Sequence, residues 1–221
     1  RYLIKFLQIV PLYNPESKII LYFQNSIPDE DFLKNEIFDC KIISGPDFLK
    51  TRRIVCEQIL LPIQIIKDKI DVFYATWYTA PLLVLYKDVY LGAWDISFIT
   101  HPNHYSLINR FSLGFFGKIS CYRSKGIITC SEFDSLQIQS TLNIHSSKIL
   151  TLKFPAEDKF DCDIENEKIE FALEKIGIKK PYILTLGVIY NRRNIPHLIE
   201  AFNIISKVNK NISLLVIGKD A

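Results

Sequence analysis

The sequence predicts an α/β protein built on parallel sheets, and three observations carry this. Strand-like apolar runs recur along the chain, several of them are continuous rather than alternating, and helical patterns lie between them. Continuous apolar runs mark strands buried on both faces, as in a parallel sheet covered by helices. Strand–helix–strand alternation then implies right-handed crossovers.

The strand candidates are residues 18–23, 40–44, 71–75, 89–94, 126–130, 148–154, 182–187 and 213–218. Residues 52–66 read as a helix through Ile54, Val55, Ile59 and Leu60, with Pro62 expected to kink or break it. Residues 105–122 are aromatic-rich and amphipathic. Ser131 is a good N-cap for a helix over 132–142, and Asp134 stands where a capping box has its acid. In 195–208 the residues Ile195, Leu198, Ile199, Phe202 and Ile205 form one stripe. The stretch 155–170 turns acidic and weakly apolar, as a connection does. These shifts divide the chain into an α/β domain over 1–154, a linker with a connecting helix over 155–180, and the opening β-α-β of a second α/β domain over 181–221.

A chain of 221 residues is long enough for one large core or two small ones. Its net charge of +3 comes from scattered basic residues, which argues against a nucleic-acid partner. The five cysteines, Cys40, Cys56, Cys121, Cys130 and Cys162, are odd in number and form no C-x-x-C pair. They read as free thiols buried in a reducing cytosol. No apolar run nears the ~20 residues of a membrane span. The first ten residues lack the small-residue cleavage site of a signal peptide. A cytoplasmic location is expected. The chain has no methionine, and it stops directly after the apolar run at 213–218. Both suggest a fragment of a longer protein.

Open α/β sheets bind ligands beyond the carboxyl ends of their strands, so residues there are the ones to weigh. Gly187 ends one strand run, and Arg192, Arg193 and Asn194 precede the helix starting near Ile195. Two arginines ahead of a helix N-terminus suit a phosphate: the guanidinium groups donate in pairs, and the helix adds unpaired N–H groups and a positive dipole end. The other reading is a solvated basic turn with Asn194 as N-cap. Neither G-x-G-x-x-G nor a Walker A sequence is present. Asp95 falls at the end of the 89–94 run, where a carboxylate accepts a proton, binds sugar hydroxyls, or simply caps a turn. Trp94 stacks on a sugar face or belongs to the core. His101 and His104 lack further metal ligands nearby, and Pro102 is expected to keep them in a non-helical surface loop. Ser131 has no G-x-S-x-G setting, so with Cys130 it reads as a cap and not as a nucleophile.

Taken in order, these motifs resemble family 4 of the retaining glycosyltransferases. The run 182–187, four residues, Arg192-Arg193-Asn194 and then Leu198-Ile199-Glu200-Ala201-Phe202 is similar to that family's strand, glycine, R-K-N and L-I-E-A-F; Val216-Ile217-Gly218-Lys219 resembles its next strand. In the first domain, Glu57 to Pro62 with Asp71-Val72-Phe73, Asp95 to Phe98 with His101-Pro102, and Ile127 to Phe133 with Lys148-Ile149 look like further family segments. The resemblance implies a GT-B-like fold of two Rossmann-like domains with the active site between them. It also implies transfer of a sugar from a nucleotide-diphosphate-sugar donor to a glycan, a lipid-linked acceptor or a small acceptor, without a metal or other cofactor.

On this resemblance Arg192, Arg193, Asn194 and Gly187 hold the donor diphosphate. Asp95 is the catalytic-site carboxylate, and Trp94, Ser131 and Glu132 line the sugar or acceptor cleft. Arg193 stands where the family usually has lysine, Trp94 where it often has histidine, and Val188 where some members have another arginine. The family's first strand would precede Arg1, and its paired glutamates would follow Ala221, so the 221-residue chain alone is expected to be inactive. Family acceptor domains often meet a membrane. Residues 105–122 with Lys118, Arg123 and Lys125 fit peripheral contact at the inner face, or else form a packed helix with solvated ends. Two alternatives stand beside this: another GT-B enzyme, such as a sugar-nucleotide epimerase or a phosphorylase, and a non-catalytic GT-B-like binding or scaffold protein.

Overall fold

The computed structural model describes residues 2–45, 52–84, 88–154, 164–189 and 193–219. The chain forms two compact units, residues 1–156 and 157–221.

The first unit opens with α1 (Tyr2–Tyr13), then β1 (Ile19–Phe23) and β2 (Phe38–Ile42). A helix follows in three parts: α2 (Arg52–Val55), a π segment (Cys56–Leu60) and α3 (Leu61–Lys67). Next come β3 (Val72–Ala75), β4 (Asp88–Gly92), α4 (Ser97–Thr100) and a second interrupted helix, made of α5 (Leu107–Ser112), a π segment (Leu113–Gly117) and α6 (Lys118–Arg123). The unit ends with β5 (Gly126–Thr129), α7 (Glu132–Leu142) and β6 (Ile149–Thr151). β1 and β2 form one parallel sheet, and β3-β4-β5-β6 form another in that order, also parallel. The core lies on the four-stranded sheet, where Val89, Leu91 and Ile127 of the strands meet Ile65, Val84 and Ile138, all essentially without solvent contact.

Pro62 does not break its helix. The Leu61 N–H donates to the Cys56 carbonyl, five residues back, and this wider turn leaves Pro62 at the start of α3, where its missing N–H leaves no gap in the ladder. The second helix has the same device at Leu113–Gly117 and is capped by Ser106, which accepts from the Asn109 N–H. The expected non-helical segment at Pro102 is a single 3-10 turn, Pro102–His104, with proline again at its start. β2 begins two residues before the apolar run that suggested it, and α1 was not anticipated. α7 has the bounds its cap implies.

The second unit is a β-α-β. α8 (Asn166–Lys175) leads to β7 (Tyr182–Leu186), α9 (Ile195–Val208) crosses over, and β8 (Ser213–Ile217) pairs parallel to β7.

Candidate functional site

The carboxyl ends of β3, β4 and β5 gather the first set of candidates. Asp95 follows β4, and its carboxylate is held firmly: Oδ1 accepts from the Ser97 N–H at 2.8 Å and from Ser97 Oγ at 2.5 Å, and Oδ2 accepts from Tyr78 Oη at 3.0 Å. Tyr105 Oη joins Ser97 Oγ; since the Ser97 proton points at Asp95, Tyr105 is the donor there. Tyr78 follows β3 in an unusual turn. Its φ is 45°, its N–H donates to the Gly92 carbonyl at 2.8 Å, and the Thr79 N–H closes back on the Trp77 carbonyl. A bulky residue at positive φ costs free energy, and the hydrogen bonds of Tyr78 to the Gly92 carbonyl and to Asp95 act against that cost.

Trp94 is packed rather than presented. Its Nε1 donates to the Thr76 carbonyl at 3.0 Å, and its ring lies against Gly92, where an added Cβ would come within 2.6 Å of it. Phe154 meets it edge-on at 5.2 Å. The exposed tryptophan at this end of the sheet is Trp77, 54% exposed and edge-to-face with Tyr78 at 5.0 Å. No sequence motif marked Trp77 or Tyr78; a pair of aromatics directly after a strand was the available signal.

Ser131 caps α7, with Oγ accepting from the Asp134 N–H at 3.1 Å and donating to the Asp134 carboxylate. Glu132 is exposed in the first turn of that helix. Cys130 donates to the Trp94 carbonyl at 3.6 Å, which joins the ends of β4 and β5. Burial, and after it the Asp134 carboxylate, push the Cys130 thiol up, so it is a poor nucleophile. Burial pushes Cys121 up to about 12. Cys162 lies outside the described residues. Among the described residues no group of three or more His, Cys, Asp or Glu side chains is placed to hold a metal. The structure thus brings Trp94, Asp95, Ser131 and Glu132 to one end of one sheet.

Gly187, Arg193 and Asn194 belong to the second unit. Gly187 directly follows β7 at φ 120°, and its N–H donates to the Ile217 carbonyl at 2.8 Å. The Arg193 guanidinium folds back over it and donates from Nη1 to the Leu186 carbonyl at 2.8 Å. A Cβ on Gly187 would lie 2.5 Å from that Nη1, and a Cβ on Gly218 would lie 1.9 Å from the Gly187 carbonyl oxygen. Two glycines at the ends of paired strands therefore let backbone and guanidinium close together. Asn194 sits in the N-cap position of α9 in the left-handed region, without a side-chain cap bond. The helix N-terminus beside Arg193 supplies N–H groups from Ile195 and His197, Pro196 having none. Arg192 lies outside the described residues.

No protein-family model and no curated protein matches the sequence. Among solved structures, the chain is similar to Anabaena Alr3699/HepE in complex with UDP and glucose, with a TM-score of 0.59 and 13% identity over 100% of this chain and 58% of that one. A second structure of the same protein, in complex with UDP, aligns with a TM-score of 0.47 and 9% identity over 98% of this chain and 65% of that one. The first likeness fixes the fold: this chain is α/β with Rossmann-like parallel sheets, as in GT-B proteins. The chain spans about three-fifths of that relative's length.

Proposed function

We propose that this chain belongs to a retaining glycosyltransferase of family 4 type, and that it carries the acceptor-side domain and the opening of the donor-side domain. The observation that carries the reading is the Gly187–Arg193 unit. A glycine at φ 120° lets a guanidinium lie over the end of β7, next to the N-terminus of a fourteen-residue helix. The fold is shared with a protein whose structure holds UDP and glucose.

In this reading Arg193, with Arg192, grips the donor diphosphate. When the sugar–phosphate bond breaks, negative charge grows on the leaving diphosphate and positive charge on the sugar. Cations and N–H groups already in place stabilise the leaving group without reorganising, and a metal is not needed for that task. Asp95, aimed by Tyr78 and Ser97, receives a hydroxyl of the sugar or acceptor. Trp77 offers a flat apolar face for a sugar ring.

A lipid-linked acceptor is favoured by the surface of α5 and the π segment after it. Leu107 and Phe111 are 81% and 71% exposed, and Ile108 and Phe115 are also exposed. Arg110 and Lys118 lie beside them, and residues 96–131 contain no Asp or Glu. An apolar face rimmed by cations suits an anionic membrane surface. Among the described residues no helix is long and apolar enough to cross a membrane.

The test of the donor site is a thermal-shift screen of nucleotide-diphosphate sugars on the full-length protein. A donor is expected to stabilise the wild type, Arg193→Lys to keep most of the shift, and Arg193→Ala to lose it. An equal shift in wild type and Arg193→Ala would remove the diphosphate clamp.

A further inference from the structure

The turn that follows β3 brings two hydroxyl side chains to two carboxylates. Tyr78 donates to Asp95 at 3.0 Å, and the next residue, Thr79, hydrogen-bonds Glu57 through its side chain. Other groups already hold this turn in place. Ser120 Oγ accepts from the Ala80 N–H at 2.9 Å, Gln58 Nε2 donates to the Ala80 carbonyl at 3.2 Å, and Gln58 Oε1 accepts from the Leu82 N–H at 3.0 Å. Glu57 and Gln58 both belong to the π segment Cys56–Leu60, a kind of turn that recurs at functional sites. Their tasks differ. Gln58 holds backbone, whereas Glu57 lines a cavity together with Arg53, Trp77, Thr79 and Pro81.

Fixing the turn does not require a charge at position 57. A glutamine there would accept from Thr79 through its amide oxygen just as well. The carboxylate works against folding instead. It is mostly buried, and Arg53 Nε lies 3.9 Å from Oε2, beyond hydrogen-bond reach. A buried carboxyl that lowers stability while lining a cavity is a candidate for ligand recognition. Among the described residues the bonds from Gln58 and Thr79 leave two of its roughly four acceptor directions. Arg53, half exposed, sets guanidinium donors beside them and balances the charge.

We infer that Glu57 and Arg53 are a recognition pair for neighbouring hydroxyls of an uncharged sugar ring seated on Trp77. One hydroxyl donates to the Glu57 carboxylate, and the oxygen of the next accepts from Arg53. Trp77 supplies the exposed aromatic face on the same cavity wall. The pair also rejects: an ammonium group placed there meets Arg53, and a carboxylate meets Glu57, so charged sugars are selected against. That the ring belongs to the acceptor rests on the glycosyltransferase reading; the hydroxyl pair stands on the cavity wall alone.

The test is saturation-transfer NMR on the full chain with the methyl glycosides of glucose, galactose and mannose. Methyl glycosides of glucosamine and glucuronic acid serve as charged counterparts. At least one neutral glycoside is expected to bind, and Trp77→Ala to abolish its binding. Glu57→Gln and Arg53→Gln are each expected to weaken it about tenfold, the size of one hydrogen bond to a charged group. Thermal melts run alongside separate lost binding from lost folding, and Arg53 is exposed enough for its replacement to leave the core untouched. Unchanged binding in either variant overturns the pair. A charged glycoside that binds as tightly as the neutral ones overturns the class of ligand, and no binding of any neutral glycoside at high millimolar concentration overturns the proposal as a whole. The donor screen is read at Arg193, and Glu57→Gln is expected to keep its shift. A donor shift without glycoside binding therefore removes only the hydroxyl pair, and glycoside binding without a donor shift removes only the transferase reading.

Discussion

Tyr22→Phe removes one hydroxyl and tests what ties the two sheets of the first unit together. Asp68 stands at the C-cap of α3, just before β3. Its carboxylate accepts from Tyr22 Oη of β1 at 2.7 Å, from Lys41 Nζ of β2 at 2.6 Å, and from Gln64 Nε2 at 3.0 Å. Burial alone would raise the Asp68 carboxyl; the hydrogen bonds from Lys41, Gln64 and Tyr22 outweigh it and hold it at about 2. Burial and the same bond push the Tyr22 hydroxyl upward, so it stays a donor throughout the working range. A hydrogen bond to a charged group is worth about 1.5–3 kcal/mol, and discounting for a half-buried tyrosine leaves about 1–1.5 kcal/mol. In a domain of this size that lowers Tm by about 2–6 °C. Both tryptophans, Trp77 and Trp94, lie in the first unit, so tryptophan fluorescence follows its melting alone. A carboxyl with a depressed folded-state pKa contributes stability that is whole above its unfolded value of about 3.9 and is lost as pH falls through the folded one. The gap between wild type and Tyr22→Phe is therefore constant from pH 7 to about 4 and closes toward pH 2. No gap at pH 7, or a gap unchanged at pH 2, would refute the clasp.

Glu57 runs the other way. Its side chain is only 19% exposed, and burial raises its carboxyl although Thr79, Arg53 and Gln58 pull it down. A carboxyl raised on folding costs stability as pH rises past its unfolded value, so Glu57→Gln is expected to melt above wild type at pH 7 and equal to it below pH 4; urea titrations at both pH values check the sign. Gly187→Ala places a side chain at φ 120° against the Arg193 guanidinium, with about 1–3 kcal/mol of backbone strain. It should lose the nucleotide-sugar thermal shift as Arg193→Ala does, with circular dichroism confirming that the fold survives; a full wild-type shift would show that the guanidinium position is unimportant. The double variant Leu107→Ser, Phe111→Ser should abolish flotation with vesicles of 30% phosphatidylglycerol in phosphatidylcholine. Wild type that fails to float with them removes the membrane reading.

What the sequence shows and what it hides follow from the range of the interactions. α7 was legible to the residue because Ser131 and Asp134 signal its start locally. β7 and α9 were legible because a continuous apolar run and a single apolar stripe each identify one period. β2 was misplaced because Asp39 and Lys41 interrupt its apolar pattern; both are paired, with each other at 3.6 Å and, for Lys41, with Asp68. α1 has Leu3, Phe6, Leu7 and Val10 at helical spacing, but no acid in its first turn and Pro11 inside it, so no start or stop signal framed it. The π turns share no residue signature: one precedes Pro62, and the other contains Gly114 and Gly117. The Tyr78–Asp95 bond joins residues seventeen apart through a turn with positive φ and no glycine, which no local pattern announces.

The hydrogen bonds around Asp95 narrow what it can do. An ionised carboxylate offers about four acceptor directions. Ser97 takes both on Oδ1, and Tyr78 takes one on Oδ2. Among the described residues these bonds leave one direction on Oδ2. Three donors hold the carboxylate in one orientation. It is a good fixed acceptor for a single hydroxyl. Trp94 is committed in the same way, through Thr76 and Gly92. Among the described residues at this end of the sheet, the exposed tryptophan is Trp77, on the same strand end as Tyr78. On the proposed reading the sugar contact of the first unit therefore moves one strand over, from the end of β4 to the end of β3, where Tyr78 donates to Asp95.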